Sequence, residues 1–153
     1  MSNQPSQPSQ GITISLDALM TELAEARKYI EALESQINQL NSELVEIVSS
    51  RELISELNMK DIEELIAPAD RRGHIMVKVV PIVKDKVITH IGLEYYVELP
   101  LDKAVEVLSK KESDVKKAIE ALQSELSNAV KYYRQLQAIV NAALAQARGV
   151  AQK

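Results

Sequence analysis

The chain has 153 residues, a formal net charge of −4 and no cysteine, which excludes disulfides, thiolate zinc sites and cysteine nucleophiles. The acidic balance argues against a general phosphate binder, because nucleic-acid affinity rests largely on neutralising phosphates. Aromatic residues make up 3%, with Phe and Trp absent and only four Gly, so the core must come from Leu, Ile, Val and Ala at helical spacing, as in coiled coils.

Residues 1–11 are polar and rich in Gln, Ser and Pro, which reads as a disordered tail. The tail shows no signal-peptide core, and no apolar run approaches the ~18 residues of a membrane span. Without cysteine as well, a cytoplasmic location is expected.

Residues 12–57 form the first helical segment. Ser15 is placed as N-cap, Asp17 lies in the first turn, and Ile14 and Leu19 have the spacing of a hydrophobic staple. Leu16, Leu23, Ile30, Ile37 and Leu44 fall at heptad position a. Leu19, Ala26, Leu33, Leu40, Ile47 and Ile54 fall at d. Arg51 interrupts the next a site. A seam this long predicts a coiled coil. The helix is expected to end near Asn58, with a continuation through Ile62 and Leu65 as the other possibility and Pro68 as the final stop.

Residues 58–100 change period from 3.5 to 2. Ala69 to Gly73 reads as a turn, and His74 to Val80 as a strand. Lys84-Asp85-Lys86 is a charged connection. Val87 to Ile91 is a second strand, Gly92 permits a turn or bulge, and Leu93 to Leu99 is a third. Leu65-Ile66-Ala67 supplies a further short strand, giving two hairpins. Isolated hairpins are marginal in water, so their open edges should find partners. Val77, Val79, Val87, Ile91, Tyr95 and Val97 are the candidate assembly residues.

Residues 101–153 form the second helical segment, opening around Pro100 with Asp102 in the first turn. Val105, Ile119, Leu126, Tyr133, Val140 and Ala147 fall at a. Leu101, Leu108, Val115, Leu122, Ala129, Leu136, Ala143 and Val150 fall at d. Glu112 is the one charged seam residue. The two helices, about 63 and 75 Å long at 1.5 Å per residue, are expected to fold back on each other with Leu16 near Val150. The fold class is mostly α with small β: a long antiparallel two-helix coiled coil with a central pair of β-hairpins.

No catalytic constellation is legible. The histidines, His74 and His90, both fall in predicted strands, and no glycine-rich phosphate loop or nucleophile–base pairing appears. No metal or cofactor is expected. Near the chain ends, apolar residues exceed what the seam needs: Met20 and Leu144 at e, Ile139 at g, and Ile12 before the helix. The seam there thins to Ala143 and Ala147, which bury little area. Ile12, Ile14, Leu16, Leu19, Met20, Val140, Ala143, Leu144, Ala147 and Val150 are the candidate residues for an adaptable apolar contact surface.

The run Asp85-Lys86-Val87-Ile88-Thr89-His90-Ile91-Gly92-Leu93-Glu94-Tyr95-Tyr96-Val97-Glu98, followed by Leu101-Asp102-Lys103-Ala104-Val105, resembles the α class of the prefoldin family, in its archaeal form. That class shows a strand, a glycine, a Tyr-Tyr-Val-Glu-like strand, then a helix opening with an acidic residue and alanine. Two departures stand out. A second glycine is common where Glu94 stands, and the turn after Pro68 is usually more apolar than Ala69-Asp70-Arg71-Arg72.

The resemblance implies an ATP-independent holdase. Two α and four β subunits join their hairpins into β-barrels, and the coiled-coil ends hold unfolded polypeptide for a group II chaperonin. It implies β-class subunits, unfolded clients and that chaperonin as partners, with no nucleic acid and no membrane. The rival reading is a passive coiled-coil spacer or tether, which the seams support equally but which does not need the β-block. A nucleic-acid binder using Arg71-Arg72 is weak against the acidic balance, and an enzyme has no positive feature.

Overall fold

The computed structural model describes residues 15–59, 61–70, 72–81 and 84–150, leaving the side chains of Met59 and Val150 undescribed. The expected tail at 1–11, and with it Ile12 and Ile14, lies outside the described residues. Two helices, α1 (Leu16–Met59) and α2 (Leu101–Val150), flank four strands: β1 (Leu65–Pro68), β2 (Met76–Val79), β3 (Lys86–Gly92) and β4 (Tyr95–Pro100). The chain divides into two compact units, each built from part of both helices.

Unit 1 joins the first part of α1, through Ser35, to the part of α2 from Gln123 onward. Ser15 caps α1: its Oγ accepts the Ala18 N–H at 3.2 Å, and its carbonyl accepts the Leu19 N–H at 3.1 Å. A cap of this kind contributes about 1 kcal/mol. Leu19, Leu136 and Val140 are buried, with Leu16, Leu23, Ala26 and Leu144 packed around them. The tyrosine–carboxylate pairs Tyr29–Glu125 and Tyr132–Glu22 give the direction. As the α1 member rises from 22 to 29, the α2 member falls from 132 to 125, so the helices are antiparallel. Leu16 packs on the cluster of Leu19, Leu136 and Val140, level with an earlier part of α2 than Val150; α2 continues past that cluster through exposed Ala145 to Gly149.

Unit 2 spans Gln36–Leu122. Ile47, Ile54, Leu101, Leu108, Val115 and Ile119 form its buried core at the expected seam positions. Ala104 joins them at 0% exposure although it sits at g, off the seam. Val87 and Leu99 of β3 and β4 pack against the same core, so a small residue there fits a layer that helix and hairpin share.

α1 stops at Met59, and Leu65 belongs to a strand, so the continuation through Ile62 and Leu65 does not form. Asp61 instead pairs with Lys84 at 2.7 Å. β1 and β2 are antiparallel, with Leu65 opposite Val79 and Pro68 opposite Met76. β3 and β4 form the second hairpin, with Val87 opposite Leu99 and Thr89 opposite Val97. Pro100 closes β4 opposite Lys86 and does not open the helix.

His74 lies in the turn and not in a strand. The cause is Asp70, whose carboxylate accepts the N–H groups of Arg72, His74 and Ile75 at 2.8, 3.2 and 2.8 Å. Donors bound to a side chain cannot also serve a strand ladder. β2 therefore begins only at Met76.

Candidate functional site

The second hairpin is two-faced, as a period of two dictates. Val87, Thr89, Val97 and Leu99 turn inward: Thr89 is buried and the others are half-buried. Ile88, His90, Tyr96 and Glu98 are exposed on the other face. The rings of His90 and Tyr96, opposite each other in the ladder, lie 5.1 Å apart between centroids. The register shifts at Ile91, between His90 and Gly92. This bulge releases Ile91 from the alternation and leaves it exposed. Leu93, at the hairpin tip, has φ of 50° and is 87% exposed.

Among the described residues, the first hairpin contributes no side chain to either buried cluster. All four β2 residues are exposed, as are Ile66 on β1 and Ile75 and Val80 beside β2. Of the candidate assembly residues, Val77, Val79, Ile91 and Tyr95 are thus exposed. Val87 packs against the chain's own helices, and Val97 is half-buried on the same hairpin face. Ile66, Ile75, Met76, Ile88, Leu93 and Tyr96 are exposed apolar residues that the sequence reading did not single out. The signal was present for most of them: each is large and apolar within a β-type run. A groove of about 470 Å³ runs between α1 and the second hairpin, lined by Ile54, Leu57, Ile88, Tyr96 and Lys111 among others.

In unit 1 the candidate contact residues separate by face. Met20 is 52% exposed and Ala147 is exposed. Leu16, Ala143 and Leu144 are half-buried, while Leu19 and Val140 are closed into the seam. Ile139, at 51% exposure, adds to the outward set. The Val150 side chain lies outside the described residues, like Ile12 and Ile14. Further along the same unit, Ala26 and Ala129 leave a cleft of about 510 Å³, which Tyr29 and Tyr132 border. Each tyrosine reaches a glutamate of the other helix. Those carboxylates raise both phenol pKa values above the ordinary range, chiefly because they accept the phenol hydrogen bond.

Among the described residues, no group of three or more His, Asp or Glu side chains is placed to hold a metal ion. No described helix is long and apolar enough to cross a membrane. The arrangement offers apolar surface, open strand edges and mixed-charge helix faces, the means of binding other polypeptides.

Known proteins give the same picture. The family model described as Prefoldin, Prefoldin subunit, matches residues 26–146. A prefoldin subunit alpha from Sulfurisphaera tokodaii is 34% identical, over 95% of this chain and 94% of its own length. One from Saccharolobus islandicus is 35% identical, over 89% of this chain and 90% of its own. One from Metallosphaera sedula is 32% identical, over 88% and 93%. A chain from the cryo-EM structure of filamentous PFD from Methanocaldococcus jannaschii shares the fold with a TM-score of 0.64, covering 76% of this chain and 95% of that one at 16% identity. The seams, the paired hairpins and these matches agree: this chain belongs to the prefoldin family, and the relatives it matches over most of its length are alpha subunits.

Proposed function

We propose that this chain is the α subunit of an ATP-independent holdase, a cytoplasmic complex that binds unfolded polypeptide and passes it to a group II chaperonin. Two copies join four β-class subunits through the hairpins of unit 2, whose strands close into β-barrels with those of the partners. Clients meet the apolar residues of unit 1.

The observation that carries this reading is the division of exposed apolar surface between the units. Unit 2 presents open strand edges with Val77, Val79, Ile88, Ile91 and Tyr95 outward, which suits strand addition. Unit 1 presents Met20, Ile139 and the partly covered Leu16, Ala143 and Leu144 at a thinning seam. Leu19 and Val140 become available when that end of the seam loosens. Exposed Ala147 extends the same surface, and Ile12, Ile14 and Val150 join the client contacts on the strength of the sequence. Weak, non-directional apolar contacts suit clients of arbitrary sequence, and several subunits add avidity. The glutamates and lysines elsewhere keep the helices solvated.

The test is light scattering of a thermally denaturing model protein, with this chain alone and with a co-purified β-class partner, while complex size is monitored. Suppression without nucleotide, appearing in the assembled species, is expected. Removing residues 1–20 and 140–153 is expected to abolish suppression and to leave assembly intact. Assembly with no suppression at any dose would overturn the holdase reading in favour of a passive coiled-coil spacer. Suppression by the truncated chain would instead move client contact away from unit 1.

A further inference from the structure

We propose that Arg51 and Glu112 set the register of the coiled coil in unit 2 and restrict its pairing to α1 against α2. The proposal does not depend on the holdase reading. From Leu16 to Leu44 the a sites of α1 are apolar, and Arg51 is the first exception. In α2, Glu112 is the only charged seam residue between Leu101 and Val150. The two exceptions meet: Arg51 Nη1 lies 2.6 Å from Glu112 Oε2. Lys116, one turn further along α2, donates to Glu112 Oε1 at 2.6 Å. Both carboxylate oxygens thus face a cation.

The surroundings make this contact selective. Glu112 is 8% exposed, and its seam neighbours Leu108 and Val115 are buried. Ile47 and Ile54, which bracket Arg51 in α1, are buried in the same core. A carboxylate in such a layer needs its cation, because removing a charge from water is costly unless it is paired.

The apolar seam does not by itself choose an offset. Leu, Ile and Val recur every heptad, so sliding one helix by seven residues again sets apolar against apolar. The charged layer does not repeat. A slip of one heptad brings Glu112 to Leu44 or Asn58, and Arg51 to Val105 or Ile119, leaving both without a seam partner. A parallel, in-register pairing of α1 with a second α1 sets arginine near arginine, and of α2 with α2 sets glutamate near glutamate. Chain connectivity does not replace this choice, because the residues between Met59 and Leu101 are too many to fix the offset by length.

Charge reversal in the full chain tests the proposal. Arg51→Glu alone, and Glu112→Arg with Lys116→Glu, should each lower the thermal unfolding midpoint by several degrees in circular dichroism. All three changes together should restore it. If the combined variant stays as unstable as either half, the pairing is not what matters and the proposal fails.

An apolar variant separates register from stability. Arg51→Leu with Glu112→Leu should fold at least as stably, since a well-packed apolar layer often matches a buried ion pair. Spin labels at Glu46 and Glu120, both exposed, should report one distance in the parent and a second population in this variant. A one-heptad shift displaces the helices by about 10 Å. A single distance identical to the parent's would overturn the proposal.

Discussion

Lys111 ties the second hairpin to its own helix through His90. Its ammonium donates to the His90 carbonyl at 2.6 Å and to His90 Nδ1 at 3.2 Å. His90 Nε2 lies 2.6 Å from the Leu93 carbonyl, which can only accept. A lysine ammonium can only donate, so in these contacts Nδ1 accepts and Nε2 donates. One long side chain from α2 therefore holds the end of β3 and, through the ring, the tip of the hairpin. Lys111→Met keeps the aliphatic stem and removes the donor. Amide exchange is expected to quicken in β3 and β4 and to stay unchanged in β1 and β2. Equal exchange in both proteins would mean that this tie does not hold the hairpin.

Leu93 carries a backbone conformation that suits it poorly. At φ of 50° its Cβ crowds the following carbonyl, at a cost of roughly 1–2 kcal/mol. Asparagine enters that region more easily. Leu93→Asn is expected to raise the stability of the full chain by roughly 0.5–1 kcal/mol in denaturant unfolding. If the exposed leucine serves assembly, the same variant will assemble less well while being more stable. A loss of stability would show that the side chain is held by contacts within this chain.

Asp70 makes the first hairpin sensitive to acid. Its carboxyl is held below the usual carboxylate range, first by the Ile75 N–H, against an upward push from burial that ranks next, and then by the N–H groups of Arg72, His74 and Gly73. A lowered folded value means the stabilisation is present above the unfolded carboxylate value, near about 4, and is lost as pH falls through the folded one. Nuclear magnetic resonance should show the Ile75 amide losing its hydrogen-bonded shift in that acid window. Asp70→Ala should show the unbonded shift at every pH. A pH-independent Ile75 signal in the parent would contradict this role.

Tyr29 and Tyr132 make unit 1 sensitive at the other end of the scale. Their raised values mean that the folded state holds the phenol proton more tightly. That stabilisation is present below the unfolded phenol value, near about 10, and disappears as pH climbs through the folded values. Ultraviolet phenolate absorbance should show part of the chain's five tyrosines titrating late. Tyr29→Phe with Tyr132→Phe should remove the late fraction and flatten the alkaline loss of helix in unit 1. A late fraction that survives both changes would place the effect at other tyrosines.

Local pattern made much of this protein legible. The heptads from Leu16 and from Leu101, the Ser15 cap and the two hairpins all follow from a period and a few turn residues close together in the chain. The same reading saw Arg51 and Glu112 as two separate interruptions. It placed His74 in a strand because the residues that follow it are β-branched, and it could not weigh the Asp70 carboxylate that captures the strand's first donors. It listed Met20, Leu19 and Val140 together as candidates for the apolar contact surface.

Hydrophobic period and capping depend on neighbours within a turn or two, so the sequence alone determined the seams, the helix start and the number of hairpins. Contacts between residues far apart in the chain depend on register and direction, which only the tertiary structure decided. That is why Arg51 faces Glu112, and why Val87 serves the chain's own core while Ile88, one residue on, faces away from it.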